Sequence, residues 1–470
     1  MRKIKRGFYI IIIGIIYYRS LLMSKKYGRY VRGGAPEVKK FDMLRPGMTQ
    51  DPVLAQLVYG GSTLRRVMHN GVINKVRMEG VKPPYILVCN HNAFYDFYVM
   101  SSAIYPARGV FPAAVDDFIG REEILRHLGG VPKRKYTSDI SMLRQCRTAI
   151  QNGQVFGIYA EARYSLCGVT EVIPDAVGQL VKHQKVPVVT LTCRGHHIYD
   201  PFWGDHSLLR KAELRPVQAD MTLAYTSEEL ETATADEINA KLRTLLYNDD
   251  FRWQFANHVR LSYKKRAEGL HKVLYQCPHC GKEYKMRSKE DKLYCENCGK
   301  SWTLTEYGEL KATTGETEFR FATDWYAWER EQVKQEVLAG TYRFVAPVHV
   351  NDLPNSKGFV RLGKGTLVHD MEGFHLHGTR DYNGLPFSME IKAAGQYAVH
   401  VEYAYRFGQH QDCIDLNTLE DTCYVFPEIS DFSVTKISLA TEEIYNEIWR
   451  RRNAERQARK EKENSAPKGE

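Results

Sequence analysis

The chain opens on an uncharged run, residues 7–18, rich in isoleucine and bracketed by lysine and arginine on both sides. As a helix these twelve residues reach about 18 Å, against a hydrocarbon core of about 30 Å. The run therefore reads as a retained anchor that enters one leaflet. No small-residue cleavage site follows it, which argues against a removed leader. Residues 30–84 read as an irregular approach with one helix. From there, short apolar runs alternate with amphipathic stretches. Strands are expected at residues 85–89, 110–115, 155–159 and 186–193. A helix capped by Ser138 or Asp139 runs to about Asn152, with Met142, Cys146, Ala149 and Ile150 on one face and Gly153 as its stop. Thr234 and Glu237 form a capping box ahead of Ile238, Leu242, Leu245 and Leu246. Strands alternating with helices indicate an α/β sheet to about residue 270.

Beyond residue 270 the pattern changes. Residues 271–310 are rich in Cys, Lys and Gly. Residues 325–338 read as an amphipathic helix stopped by Gly340, and residues 341–440 as short alternating runs punctuated by Gly, Asn and Asp. The last is the pattern of a small all-β domain, such as a barrel closed by a helix in the manner of pleckstrin-homology-like folds. That helix is expected at residues 442–449, decaying into a frayed, charged tail. The expected organisation is a basic and apolar membrane anchor at 1–45, an α/β domain at 46–270, a short Cys-rich module at 271–310, and a β-rich domain with its helix at 311–470.

Composition narrows the class. With 43% apolar and 26% charged residues, neither a disordered chain nor a polytopic membrane protein fits. Residues 1–45 hold twelve Lys/Arg against Glu37 and Asp42, which accounts for the whole net charge of +10. A basic end beside an apolar run suits an anionic, cytoplasmic membrane surface. Nucleic acid would call for positive charge on a folded face, and the rest of the chain is near neutral.

Candidate chemistry collects where strands end. His91 follows the strand at 85–89, and Asp96 lies five residues on. A neutral imidazole can take the proton of an attacking hydroxyl, and a carboxylate beside it fixes the tautomer and stabilises the imidazolium. The spacing alone is weak evidence, since His410 and Asp415 repeat it in the β-rich part, where it is taken as coincidence. No Gly-x-Ser-x-Gly elbow is present, so no serine nucleophile is implied.

Context lifts the first copy. Asn90-His91-x4-Asp96 resembles the first motif of the 1-acylglycerol-3-phosphate acyltransferase family. Gly129-Gly130-Val131-Pro132-Lys133-Arg134 is similar to its Gly-rich basic turn. Ala160-Glu161-Ala162-Arg163-Tyr164-Ser165 resembles its Pro-Glu-Gly-Thr-Arg-Ser, and Val186-Pro187-Val188-Val189 its fourth motif. Order and spacing agree over about residues 80–215, and the chain also resembles a subgroup carrying a zinc ribbon. The resemblance implies a catalytic His91 and Asp96, with Glu161 organising the acceptor and Lys133, Arg134 and Arg163 contacting its phosphate. It implies an acyl donor that is acyl-CoA or acyl carrier protein. The third motif departs from the pattern: Ala160 and Ala162 replace proline and glycine, and the arginine falls one position early, with Tyr164 in its place. In extended backbone a one-residue slip reverses a side chain's direction.

Cys277-x-x-Cys280 and Cys295-x-x-Cys298 have zinc-ribbon spacing, and four thiolates close a structural Zn²⁺ site with no position open for catalysis. His279 reads as a surface residue of the knuckle. His196-His197 carries no metal signal, because no carboxylate partner is placed beside it.

The leading functional expectation is an acyltransferase of phospholipid biosynthesis. It would esterify the free hydroxyl of a lysophosphatidic-acid-type acceptor at the cytoplasmic membrane face, as a monotopic protein. The alternatives are an acyltransferase with a different lipid acceptor, and a zinc-ribbon adaptor with a degenerate acyltransferase fold.

Overall fold

The computed structural model describes residues 39–43, 45, 50–137, 140–205, 210–211, 217–405 and 410–465. The expected anchor at 7–18 and the caps Ser138 and Asp139 lie outside these residues.

Helix α1 (Pro52–Met68) leads the first domain, capped by Asp51, whose side chain accepts from Leu54 N. A seven-stranded mixed sheet follows in the order β1-β7-β6-β2-β5-β3-β4. Its strands are β1 (Val72–Val76), β2 (Tyr85–Cys89), β3 (Gly109–Ala114), β4 (Gly130–Lys133), β5 (Val155–Tyr159), β6 (Val188–Arg194) and β7 (Gln218–Tyr225). Strands β6, β2, β5, β3 and β4 run parallel, and β7 turns back antiparallel to β6. The alternation of β2 sorts its side chains to the two faces. Leu87 and Cys89 join one core cluster with Met100, Val155 and Leu191. Ile86 and Val88 join the other with Phe156, Ile158 and Leu242. The helices that cover these faces are α2 (Asp96–Ile104), α3 (Ile140–Gln151), α4 (Ala176–Gln184), α5 (Ala235–Leu246) and α6 (Asp250–Ala256). Thr234 caps α5 in the reciprocal box with Glu237 that the sequence predicts. Gly129 turns the chain into β4 with φ +87°; a Cβ there would meet the Gly109 carbonyl at 2.2 Å, so glycine is required.

A four-stranded antiparallel sheet comes next: β8 (Met286–Lys289), β9 (Lys292–Cys295), β10 (Ser301–Leu304) and β11 (Leu310–Ala312). Helix α7 (Ala322–Leu338) then leads into a second seven-stranded sheet. Its strands are β12 (Phe344–Asn355), β13 (Gly358–Asp370), β14 (Gly373–Arg380), β15 (Pro386–Lys392), β16 (His400–Tyr405), β17 (Gln411–Asn417) and β18 (Thr422–Pro427). They pair antiparallel in the order β15-β14-β13-β12-β18-β17-β16, two meanders joined through β12 and β18.

The closing helix α8 (Val434–Ser465) corrects the expectation of a helix confined to 442–449 with a frayed tail. Its first turns are nucleated by burial of Ile437, Leu439, Ala440 and Ile444. Helix-favouring Ala, Glu, Arg and Lys then propagate it past the core, with Glu447 paired to Arg450 and Arg451.

The three modules are not separate beads. One core cluster runs from Leu166, Trp203 and Phe251 of the first domain through Trp302 and Trp325 to Val348, Leu416 and Ile437 of the last.

Candidate active site

The parallel strands β2, β5, β3, β4 and β6 all end at one edge of the first sheet, and the candidate residues stand along it. Asn90 completes β2: its carboxamide accepts from Cys193 N at 2.7 Å and donates to Cys193 O at 2.9 Å, as a neighbouring strand would. His91 follows, and the chain then folds back through Asn92 and Ala93 into α2.

That return brings Asp96 to His91, with Nδ1 3.1 Å from Oδ2. The same oxygen accepts the Asn92 and Ala93 amides at 2.5 and 3.0 Å. Burial alone would push the Asp96 carboxyl up, but hydrogen bonds from His196 and His91 outweigh it and hold the group at about 2. Its position in the first turn of α2 adds to the same preference. With an ionised carboxylate at Nδ1, the imidazole carries its proton there and presents the lone pair at Nε2. That nitrogen makes no hydrogen bond among the described residues. The ring is 13% exposed and held between Tyr159, stacked at 3.7 Å, and Tyr164 at 4.1 Å.

His196 is the member that sequence reasoning missed. It sits just past the end of β6 and bonds through Nδ1 to the other oxygen of Asp96, fully buried. The carboxylate partner absent from its local sequence lies 100 positions away. The available signal was topological: β6 neighbours β2, so the residues just past both ends fall side by side. The Cys193 thiol is close to both groups. Burial pushes it well above its ordinary range.

Glu161 reaches His91 through the backbone. Its Oε1 accepts the His91 amide at 2.7 Å, its Oε2 accepts the Glu171 amide at 2.6 Å, and Ser165 N donates to the His91 carbonyl at 2.7 Å. Burial raises the Glu161 carboxyl to about 8 against the pull of those two amides.

Arg163, expected at the acceptor's phosphate, sits in a buried pair of carboxylates. Ala162 takes the left-handed conformation, φ +56°, where the family pattern has glycine. The turn sends Arg163 away from the His91 ring and brings Tyr164 over it. Arg163 is 3% exposed. It pairs with Glu171 at 2.8 Å and Glu442 of α8 at 2.6 Å, and donates to Ser438 Oγ at 2.5 Å. Arg330 of α7 closes the group on Glu442 at 2.6 Å. The basic turn after β4 is similarly engaged. Lys133 Nζ donates to the Thr137 carbonyl and hydroxyl, and Arg134 is buried and donates to the Leu419 carbonyl at 2.7 Å. Neighbouring Lys135 meets Asp415 at 2.9 Å, with Asp116 and Glu402 each at 3.8 Å.

The four cysteines converge as the spacing predicts. All four sulfurs lie within 4.8 Å of one another, with Cys277 to Cys298 at 3.8 Å and Cys280 to Cys295 at 3.9 Å. A tetrahedral zinc with bonds of about 2.3 Å separates its sulfurs by about 3.8 Å, so the donor set fits that ion. His279 is 55% exposed and faces Glu318.

The His91–Asp96 pair thus stands at the end of a parallel strand of an α/β sheet. Residues 64–194 match the family model Acyltransferase, so this chain contains an acyltransferase domain. Among solved structures, the 1-acyl-sn-glycerophosphate (LPA) acyltransferase PlsC from Thermotoga maritima is similar at 16% identity and a TM-score of 0.33. The match covers 52% of this chain and 95% of that one. No curated protein matches the chain.

Proposed function

We propose that this protein transfers an acyl group from acyl-CoA or acyl carrier protein to the free hydroxyl of a lysolipid acceptor. The observation that carries the reading is His91, whose Nδ1 is held by a buried, ionised Asp96 while Nε2 is left without a partner, inside the matched domain. Nε2 takes the acceptor's hydroxyl proton as its oxygen attacks the thioester carbonyl. The new C–O bond forms, the C–S bond breaks, and the imidazolium returns its proton to the leaving thiolate. An adaptor would have no use for a base kept in this state.

A lysophosphatidic-acid-type acceptor is what the sequence resemblance implies. The engagement of Arg163 with Glu171 and Glu442 favours the second reading, a different lysolipid.

Attachment to a membrane surface fits a lipid acceptor, because extracting it into water costs about 0.8 kcal/mol per methylene. Val53, Leu57, Leu64 and Met68 form an exposed stripe along one side of α1, and Phe94, three residues past His91, is also exposed. No helix among the described residues is long and apolar enough to cross a membrane. We assign Cys277, Cys280, Cys295 and Cys298 to one structural zinc, which metal analysis checks as one equivalent per chain.

The deciding experiment incubates the purified protein with lysolipids and acyl donors and identifies products by mass spectrometry. An ester product that vanishes in His91→Ala supports the reading. A folded protein that yields none with any acyl-CoA or acyl carrier protein contradicts it.

A further inference from the structure

Given an acyltransferase centred on His91, we infer that Tyr164 is a positioning residue for the His91 imidazole, and that the β-rich domain takes part in the reaction by holding Tyr164 in place. The contact between Nδ1 and Asp96 fixes one corner of the imidazole. A ring held at one corner can still tilt about it, and a tilt carries Nε2 off the line to the attacking hydroxyl. What remains to be fixed is the two faces. Tyr159 lies nearly parallel to the ring, at 11° with 3.7 Å between centroids, and fills one face. Tyr164, at 4.1 Å and 38°, therefore occupies the other, since ring carbons approach no closer than about 3.5 Å.

The two tyrosines are supported differently. Tyr159 belongs to β5 and is placed by the first sheet. Tyr164 stands in a loop, half-buried, and its support comes from the far end of the chain. Its ring packs on Phe202 at 5.4 Å. Phe202 packs in turn on His400 at 5.9 Å and Tyr403 at 5.7 Å, both buried residues of β16. The Tyr403 hydroxyl shares a hydrogen bond of 2.6 Å with Thr435 of α8. The residue before Tyr164 is gripped by the same helix, since Arg163 donates to Ser438 and pairs with Glu442. Two successive residues of one loop are thus held by the β-rich domain, one through charge and one through aromatic packing. The ring faces also attract the imidazolium that forms as the hydroxyl proton is taken, so these contacts strengthen along the reaction. A tyrosine that only covered the base would slow the enzyme, and its removal would speed it.

The test compares kcat and KM in Tyr164→Leu, Tyr164→Phe and Phe202→Leu, with the acceptor and acyl-CoA that the parent uses. Tyr164→Leu should lower kcat about tenfold while KM for acyl-CoA stays within about twofold, the signature of a misdirected base. Tyr164→Phe restores the ring and should return kcat to within about threefold of the parent. Phe202→Leu keeps Tyr164 and removes its support, and should cost about threefold in kcat. A folded Tyr164→Leu enzyme with parental or higher kcat overturns the inference, as does a Tyr164→Phe enzyme no better than Tyr164→Leu. Parental kcat in Phe202→Leu overturns the part given to the β-rich domain.

Modification of His91 by diethyl pyrocarbonate, followed by peptide mass spectrometry, reads the same contact without turnover. The rate at His91 should rise about threefold or more in Tyr164→Leu and in Phe202→Leu, where the ring loses its cover, and stay parental in Tyr164→Phe. Equal rates in the folded parent and Tyr164→Leu overturn the inference. Should Tyr164→Leu fail to fold, Phe202→Leu carries both measurements. If no acceptor is turned over, the functional reading fails, while the modification rates still decide whether Tyr164 and the β-rich domain hold the His91 ring.

Discussion

Two stretches of this chain carry the same spacing, histidine, four residues, aspartate, and they end in opposite arrangements. His91 and Asp96 flank a loop that folds back from a strand end into a helix, and Nδ1 comes within 3.1 Å of Oδ2. His410 sits in a turn with φ +62°, and Asp415 lies along β17. Five residues of extended strand cover about 16 Å, so the second pair cannot meet. Asp415 turns to its cross-strand neighbour His400, 3.5 Å away, and to Lys135. The charges diverge as well. Both aspartates are buried, which raises each carboxyl. Asp96 is offset by two imidazoles and two amides and ends at about 2, whereas Asp415 shares one lysine with Asp116 and Glu402 and stays raised. A spacing acquires chemical meaning only through the backbone between its ends.

The sharpest way to break this comparison is to remove the base. His91→Ala should lower kcat by about 10²- to 10⁴-fold with the melting temperature kept. Full activity in that variant would make the contact at His91 merely structural.

Asp96→Asn should lose activity too, and it also tests the electrostatics. The folded value near 2 lies below the ordinary 3.8. Its contribution is therefore complete above about pH 4 and is lost as pH falls towards 2, about 2 kcal/mol in all. Acid unfolding should be steeper between pH 4 and 2 in the parent than in Asp96→Asn; parallel curves would refute the assignment.

A smaller effect is expected at His196. His196→Leu removes one donor to Asp96 and should cost roughly tenfold in kcat, a charged hydrogen bond's worth. His196→Asn places an amide N–H where Nδ1–H stood and should recover most of it. Equal losses in both would mean that packing, not the hydrogen bond, matters there.

His410→Ala should be nearly silent, within about 0.5 kcal/mol in stability and unchanged in rate. A dead His410→Ala would show that the wrong pair was chosen.

Much of the site was legible because its parts are local. Strands β2 and β5 fall on residues 85–89 and 155–159 as the apolar runs predict, and the Thr234 box closes as written. His91 and Asp96 meet within one loop, and each Cys-x-x-Cys is a self-contained knuckle. Such features depend on contacts a few residues apart, which the order of residues specifies directly.

The chain by itself therefore determined the acyltransferase edge, the His–Asp pair and the four-sulfur cluster. Tertiary structure alone decided which partner each remaining charge would take. His196 reaches Asp96 because β6 lies beside β2. Arg163 leaves the His91 face because Ala162 adopts a left-handed turn and Glu442 of α8 is there to receive it. Lys135 is neutralised by strands nearly 300 positions further on. A buried charge must find its counter-charge wherever the packed elements bring one, and no local pattern records which distant element that will be.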